Sequence, residues 1–286
     1  MAIRIVTDSS ADLPPQIAQR YKITVVPCYV VSDDRPYRDG VDITPDEFYS
    51  RLASKSRLPT TAQPSVADFQ AVYAELLGQG HQVVSIHVSG KLSGALNAAN
   101  QARSALGDDA AAGVEILDSQ LASIPLGLVA ISAAQRADGG DSCQQVAVQA
   151  RRDLPLTNCF FVLDTLEYLQ KGGRIGKARA FLGSVLDVKP ILTIQDGEVH
   201  PLERPRNRER ALRRLVELAH QMAPLRQLAV IHSTEPQQAE ALRNDLSGLL
   251  AHDEIVLARF GATLGTYLGP KALGVAFMRA DAILRL

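Results

Sequence analysis

The chain has 286 residues, 46% apolar and 21% charged, with a formal net charge of −1. That balance describes a folded globular protein of one large or two medium domains and excludes a disordered chain or a general nucleic-acid binder, which needs a basic footprint. Aromatic residues make up only 5% and Trp is absent, so the core is aliphatic and few rings are left to stack a nucleobase.

IRIVT (3–7) predicts a first strand ending at Asp8-Ser9-Ser10, and ADLPPQIAQRY opens a helix with prolines in its first turn, where a missing N–H is harmless. ITVVPCYVV (23–31) predicts the next strand, with Pro27 marking an edge or a bulge. Thr44-Pro45-Asp46-Glu47 has the form of a helix start, Thr as N-cap and Glu closing a capping box. A loop, KSRLPTTAQPS (55–65), leads to a helix capped by Ser65 with Val66, Phe69, Val72, Tyr73, Leu76 and Leu77 on one face. VVSIHV (83–88) predicts a strand, followed by a helix over about 93–106. VEILDS (114–119) predicts another strand, and a helical stretch over 120–153 is broken at ADGGDS. Strand–helix alternation of this kind builds a parallel sheet covered on both faces.

The second half reads differently. CFFVLD (159–164) leads to TLEYLQKGGRIG, a helix ended by Gly172-Gly173, and PILTIQDGEVHPLE (190–203) is a hairpin around Asp196-Gly197. A helix over about 206–222, LAVIHS (228–233), a helix over about 236–250, EIVLARF (254–260) and a closing LGVAFM strand predict a mixed-sheet α+β unit. The expected architecture is α/β: a parallel-sheet α/β/α domain over 1–155 and a mixed-sheet α+β domain over 156–286.

Cys28, Cys143 and Cys159 are far apart and form no CxxC pair, and the six histidines form no HExxH pair. Reduced thiols, no metal and no catalytic cofactor are the expectation. The N-terminus lacks the apolar core of a signal peptide and no apolar run reaches membrane-spanning length, which points to the cytoplasm.

The segment HVSGKLSGALNAAN (87–100) concentrates His87, Ser89 and Ser93 with Gly90 and Gly94 between a strand and a helix, where α/β sheets present unpaired N–H groups to anions. The bland reading of Ser93 is a helix N-cap. As a nucleophile elbow the segment is one residue out of register, G-x-x-S-G instead of G-x-S-x-G, although His87 and Asp118 exist. GGRIGKA (172–178) is too short for a phosphate loop, and TDSSADLPP has no dinucleotide fingerprint. What remains is a grip of hydroxyls and amides in aliphatic surroundings, suited to an anionic head with an apolar tail.

The motifs IRIVTDSSADLP, VVPCYV, RDGVDIT, LPTTAQPS, VSGKLSGALNAA, ILDSQLAS, LEYLQKGGRI, KPILTIQDGEV and GTYLGPKALGVAF occur in order over nearly the whole chain. Together they resemble the DegV family of fatty-acid-binding proteins. The resemblance implies one two-domain unit over about 3–284 with a fatty acid such as palmitate buried between the domains. It implies Thr61 and Ser93 with Gly94 at the carboxylate, and Tyr267 where the family has a histidine. Arg174 and Arg206 match arginines used beside the head group or toward a partner, a fatty acid kinase resembling dihydroxyacetone kinase. Lys271 stands where the family has glycine and, if its loop turns back toward the head group, is expected to supply the positive charge that Tyr267 cannot. Ala95 and Leu96 replace the usual Thr and Tyr. The implied role is a non-catalytic subunit that presents a carboxylate for phosphorylation and touches a membrane peripherally during lipid exchange. Two alternatives stay open: a lipid carrier or sensor outside any kinase pathway, and an acyl- or phosphoacyl-processing enzyme using Ser93.

Overall fold

The computed structural model describes residues 2–54, 58–182 and 188–280. Positions 55–57 of the loop read above and 281–286 at the end of the second half lie outside the described residues. β1 (Ile3–Asp8) leads through α1 (Pro15–Arg20) to β2 (Thr24–Val26), which pairs with it in parallel, Val6 opposite Thr24. Pro27 has no N–H to offer a ladder, and the segment read as one strand over 23–31 divides there. Its second part, β3 (Tyr29–Ser32), leaves the sheet. It forms a small antiparallel sheet with β4 (Arg35–Arg38) and, beyond α2 (Pro45–Ser54), with β5 (Thr60–Ala62), inside what reads as a loop.

The expected caps are present. The Thr44 N–H donates to Glu47 at 3.0 Å and the Glu47 N–H to Thr44 at 3.3 Å at the start of α2. Ser65 and Asp68 do the same for α3 (Val66–Gly78). Then β6 (Gln82–His87), α4 (Ala95–Ser104), α5 (Asp108–Ala111) and β7 (Val114–Asp118) complete a parallel sheet of order β2-β1-β6-β7.

After α6 (Ile124–Asp138) and α7 (Cys143–Asp153), the second half opens with β8 (Thr157–Val162) and α8 (Glu167–Lys171). The hairpin of β9 (Ile191–Gln195) and β10 (Glu198–Glu203) turns through Asp196 and Gly197 at φ 50° and 76°, the left-handed pair a type I′ turn requires. It is followed by α9 (Arg208–Gln221), β11 (Leu225–His232), α10 (Pro236–Asp245), β12 (Val256–Arg259), α11 (Ala262–Leu268) and β13 (Leu273–Arg279). The six strands form a mixed sheet of order β10-β9-β8-β13-β11-β12, in which only β11 and β12 run parallel.

Both sheets are buried on both faces, with side chains alternating along each strand. In β1, Val6 packs outward with Phe69 and Tyr73 of α3, while Ile5 faces the centre. In β8 and β11, Phe160, Val162, Leu228 and Val230 pack outward with α9 and α10, while Phe161, Ala229 and Ile231 face the centre. The centre is filled by α6, buried at every position from Ile124 to Ala134 and packed on β1 and β6 on one side and on β8, β11 and β13 on the other. The result is a stack of helix, sheet, helix, sheet and helix layers.

α11 is the helix that the sequence pattern conceals. Gly265 weakens its helical signal, yet it is what lets the helix lie against Phe48 and Tyr49, because a Cβ there would come within 2.6 Å of the Phe48 ring. Two buried carboxylates from the first half hold its entry. Asp12 accepts from the Gly261 N–H at 2.8 Å, and Asp39 accepts from the Ala262 and Thr263 N–H groups at 2.9 and 3.1 Å. Asp39→Ala leaves those two buried donors without their acceptor. It should lower unfolding free energy by about 1.5–3 kcal/mol in urea titration, with Asp39→Asn losing less.

Candidate ligand-binding site

A cavity of about 970 Å³, its open mouth included, lies between the two sheets at the entry of α6. Its walls come from the inward faces of the strands and from α11: Val88, Phe161, Ile194, Ile231, Phe260 and Leu268. Cys28 and Cys159 also line it. Burial pushes both thiols up, Cys159 to about 12, so they stay protonated and serve as small apolar surface. At its mouth the cavity shares Leu92, Ser93, Gly94 and Arg174 with an outer cleft that also has Lys91 and Glu198.

Four elements bring polar groups to that mouth. β5 carries Thr61, whose hydroxyl is hydrogen-bonded to the Tyr267 hydroxyl from α11. The Tyr267 ring rests against Gly172, where any Cβ would collide with it, and the Arg174 guanidinium lies over the ring at 5.2 Å. Arg174 donates to the carbonyls of Gly172 at 2.9 Å and Leu92 at 3.2 Å, which ties the second half of the chain to the first across the opening. Ser93 accepts from the Ala95 N–H at 3.2 Å, and the N-cap of α4 is Gly94, one residue later than the capping role read for Ser93. Gly94 sits close to the Gln63 amide, which a Cβ would approach to 3.0 Å.

Thr61, Ser93, Gly94, Arg174 and Tyr267, singled out in the sequence, therefore line one cavity. Arg206 and Lys271 do not. Arg206 is exposed in the turn before α9. Lys271 is exposed after α11, its N–H donating to Thr234 at 3.0 Å and its carbonyl accepting from Arg208 at 2.8 Å. The cation that stands beside Tyr267 is Arg174. His87 and Ser89 of the glycine-rich segment turn away from the cavity. His87 is fully buried against Asp8 at 2.9 Å, and Ser89 donates to the Gly197 carbonyl at 2.8 Å.

Sequence reasoning missed Ser10, Ser123 and Gln63, which also line the cavity. The signal was present as hydroxyls just past two strands, in TDSSAD and ILDSQLAS, but only the packed sheets show that both point to one space. Ser123 holds φ 66° and ψ −158°, a region non-glycine residues rarely adopt and one that costs about 1–3 kcal/mol. Its N–H bonds to the Ser10 carbonyl at 2.7 Å and its hydroxyl to Asp12 at 2.6 Å. Asp8, Asp12 and Asp39 are all buried behind this inner wall, while Arg174 and Lys91 mark the mouth. Of the three, Asp8, against the effect of burial, is held below the usual carboxylate range by His87, whereas burial raises Asp12 and Asp39, and the opening sets Lys91 and Arg174 beside Glu198. No side-chain base is hydrogen-bonded to Ser93, and no group of metal-ligating side chains stands together, among the described residues. No helix among them is long and apolar enough to cross a membrane.

Comparison with known proteins gives a consistent picture. A family model described as an uncharacterised protein of the DegV family matches residues 2–280. Protein DegV of Bacillus subtilis is 34% identical over 282 residues, covering 97% of this chain and 99% of the relative. The structure of a fatty-acid-binding DegV family protein from Thermus thermophilus superposes with a TM-score of 0.88 at 33% identity, covering 97% of this chain and 99% of that one. A stearic-acid-binding protein from Eubacterium ventriosum superposes with a TM-score of 0.88 at 26% identity, covering 96% and 97%.

Burial, with the charges of Asp39 and Asp8 adding to it, raises the Asp12 carboxyl well above the usual range against the hydrogen bonds from Ser123 and Gly261. A raised folded-state pKa means that the group's contribution to stability is full below the ordinary value of about 3.9 and is lost as pH rises through the folded value. Asp12→Asn keeps an acceptor for Gly261 and removes the titration. Its stability relative to the native protein should therefore improve steadily as pH is raised above about 4. Urea unfolding of both proteins across that range checks the trend.

Proposed function

The chain belongs to the DegV family, and from that premise we propose that it binds one long-chain fatty acid, tail in the cavity and carboxylate at the mouth. The observation that carries this reading is the division of the cavity into a largely apolar interior and an opening ringed by Thr61, Ser93, Tyr267 and Arg174. Burying about fifteen methylenes at about 0.8 kcal/mol each gives a gross gain of about 12 kcal/mol, enough to retain a lipid after ordering costs. A carboxylate drawn out of water needs donors, which the hydroxyls and the first turn of α4 provide. Arg174, the charged side chain among the described lining residues, favours the carboxylate at the mouth over the inner end.

The finer part of the proposal concerns what happens at the mouth. The carboxylate is offered outward to a separate kinase, whose nucleoside triphosphate gives up its terminal phosphoryl group to one of the carboxylate oxygens, leaving a bound acyl phosphate and releasing the nucleoside diphosphate. The outer cleft, with Lys91 and Arg174, supplies positive charge where that group arrives. Arg174 over the Tyr267 ring takes the place of a cationic histidine. Arg206, exposed before α9, and the exposed Lys271 face the partner and not the ligand.

Ser93→Ala and Thr61→Ala each remove a polar contact from a charged head. Each should weaken palmitate binding by about 1.5–3 kcal/mol in calorimetric titration with the circular dichroism spectrum unchanged. Native affinity in the double variant would contradict the head-group assignment. Delipidated protein should also melt higher with palmitate in excess, because a ligand that binds only the folded state stabilises it by mass action. An unchanged melting temperature would count against the carrier reading.

A further inference from the structure

The inner wall of the cavity carries two hydroxyls that the head group does not use. Ser10 is 3% exposed and Ser123 is 7% exposed, and neither borders the outer cleft. The Ser10 hydroxyl donates its proton away from the cavity, to Oδ1 of Asp8. The other oxygen of Asp8 accepts from Nδ1 of His87 at 2.9 Å and from the Val88 N–H at 3.2 Å. Behind His87 the chain continues through Ser85 at 2.7 Å to Tyr73 at 2.9 Å, all of it buried. Burial alone would raise Asp8, but the hydrogen bond and charge of His87, with the bonds from Ser10 and Val88, bring it below the usual carboxylate range. Asp8 is therefore an anion that accepts the hydrogen bond from Ser10 and holds the hydroxyl in one orientation.

A hydroxyl has one proton and two acceptor lone pairs. With its proton directed inward, Ser10 meets the cavity only as an acceptor. A plain alkyl chain leaves that acceptor unpaired against an apolar wall, which is unfavourable. A carboxylate also fails there, since it has no proton to give and approaches a buried anion. A neutral donor fits both constraints.

We infer that the cavity selects an acyl chain bearing a hydroxyl group along its length, which donates to Ser10 where the chain passes the inner wall. This rests on the fatty-acid reading above and names a narrower ligand class within it.

Competition between palmitate and the positional isomers of hydroxypalmitate on delipidated protein tests the inference. At least one isomer hydroxylated away from the carboxylate should bind tighter than palmitate by a factor of about three to ten. In Ser10→Ala that ratio should fall to about one. Should this variant fail to fold, the ranking of isomers on the native protein decides alone. Palmitate binding tighter than every isomer, or a preference that survives Ser10→Ala, overturns the inference and leaves the fatty-acid reading standing. Binding of neither palmitate nor any isomer overturns both.

Discussion

α6 has no face that tolerates water. From Ile124 to Ala134 every residue is buried, so the helix has to be covered on two opposite sides. One sheet from each half of the chain provides the cover, and the two halves share a single hydrophobic cluster as a result. Because α6 fills the centre only from Ile124 onward, the space ahead of its first turn is closed by sheet faces, α11 and the segments around Ser93 and Arg174. That space is the cavity, and Ala122, Ser123 and Pro125 stand at the junction. Packing around one apolar helix thus produces both the fold and the site.

Charge then gives the cavity a direction. The carboxylates at the inner wall have structural duties: Asp12 and Asp39 anchor the entry of α11, and Asp8 anchors His87 and Ser10. With no cation among the described residues lining it, the inner end is unsuited to an anion. The mouth is the opposite, with Arg174 bridging the halves and the Thr61–Tyr267 pair beside it. α11 links the two ends, since its first residues are held by the buried carboxylates and its last turn delivers Tyr267 to the mouth.

Much of this was legible in the sequence. Alternation of strands and helices, a capping box at Thr44, a cap at Ser65, and Asp196-Gly197 in a hairpin are local signals, and each has its expected counterpart. Thr61, Ser93, Gly94, Arg174 and Tyr267 were marked by motifs, and they converge. What stayed hidden depends on tertiary contact. The division at Pro27 is decided by which sheet each part of 23–31 pairs with. β5 exists because Thr61 lies opposite Val30, and α11 because two distant aspartates accept from its first N–H groups. The orientation of the Ser10 hydroxyl follows from a buried chain reaching to Tyr73, which no local spacing announces.

The central claim is that one acyl chain lies in the cavity with its carboxylate at the mouth. A crystal structure with palmitate brominated at its terminal carbon tests occupancy and direction together. The account predicts an anomalous bromine peak among the inward-facing residues, away from Arg174, with the carboxylate within hydrogen-bonding distance of Thr61 and Ser93. A bromine peak at the mouth beside Arg174, or none in the cavity at saturating ligand, would contradict it.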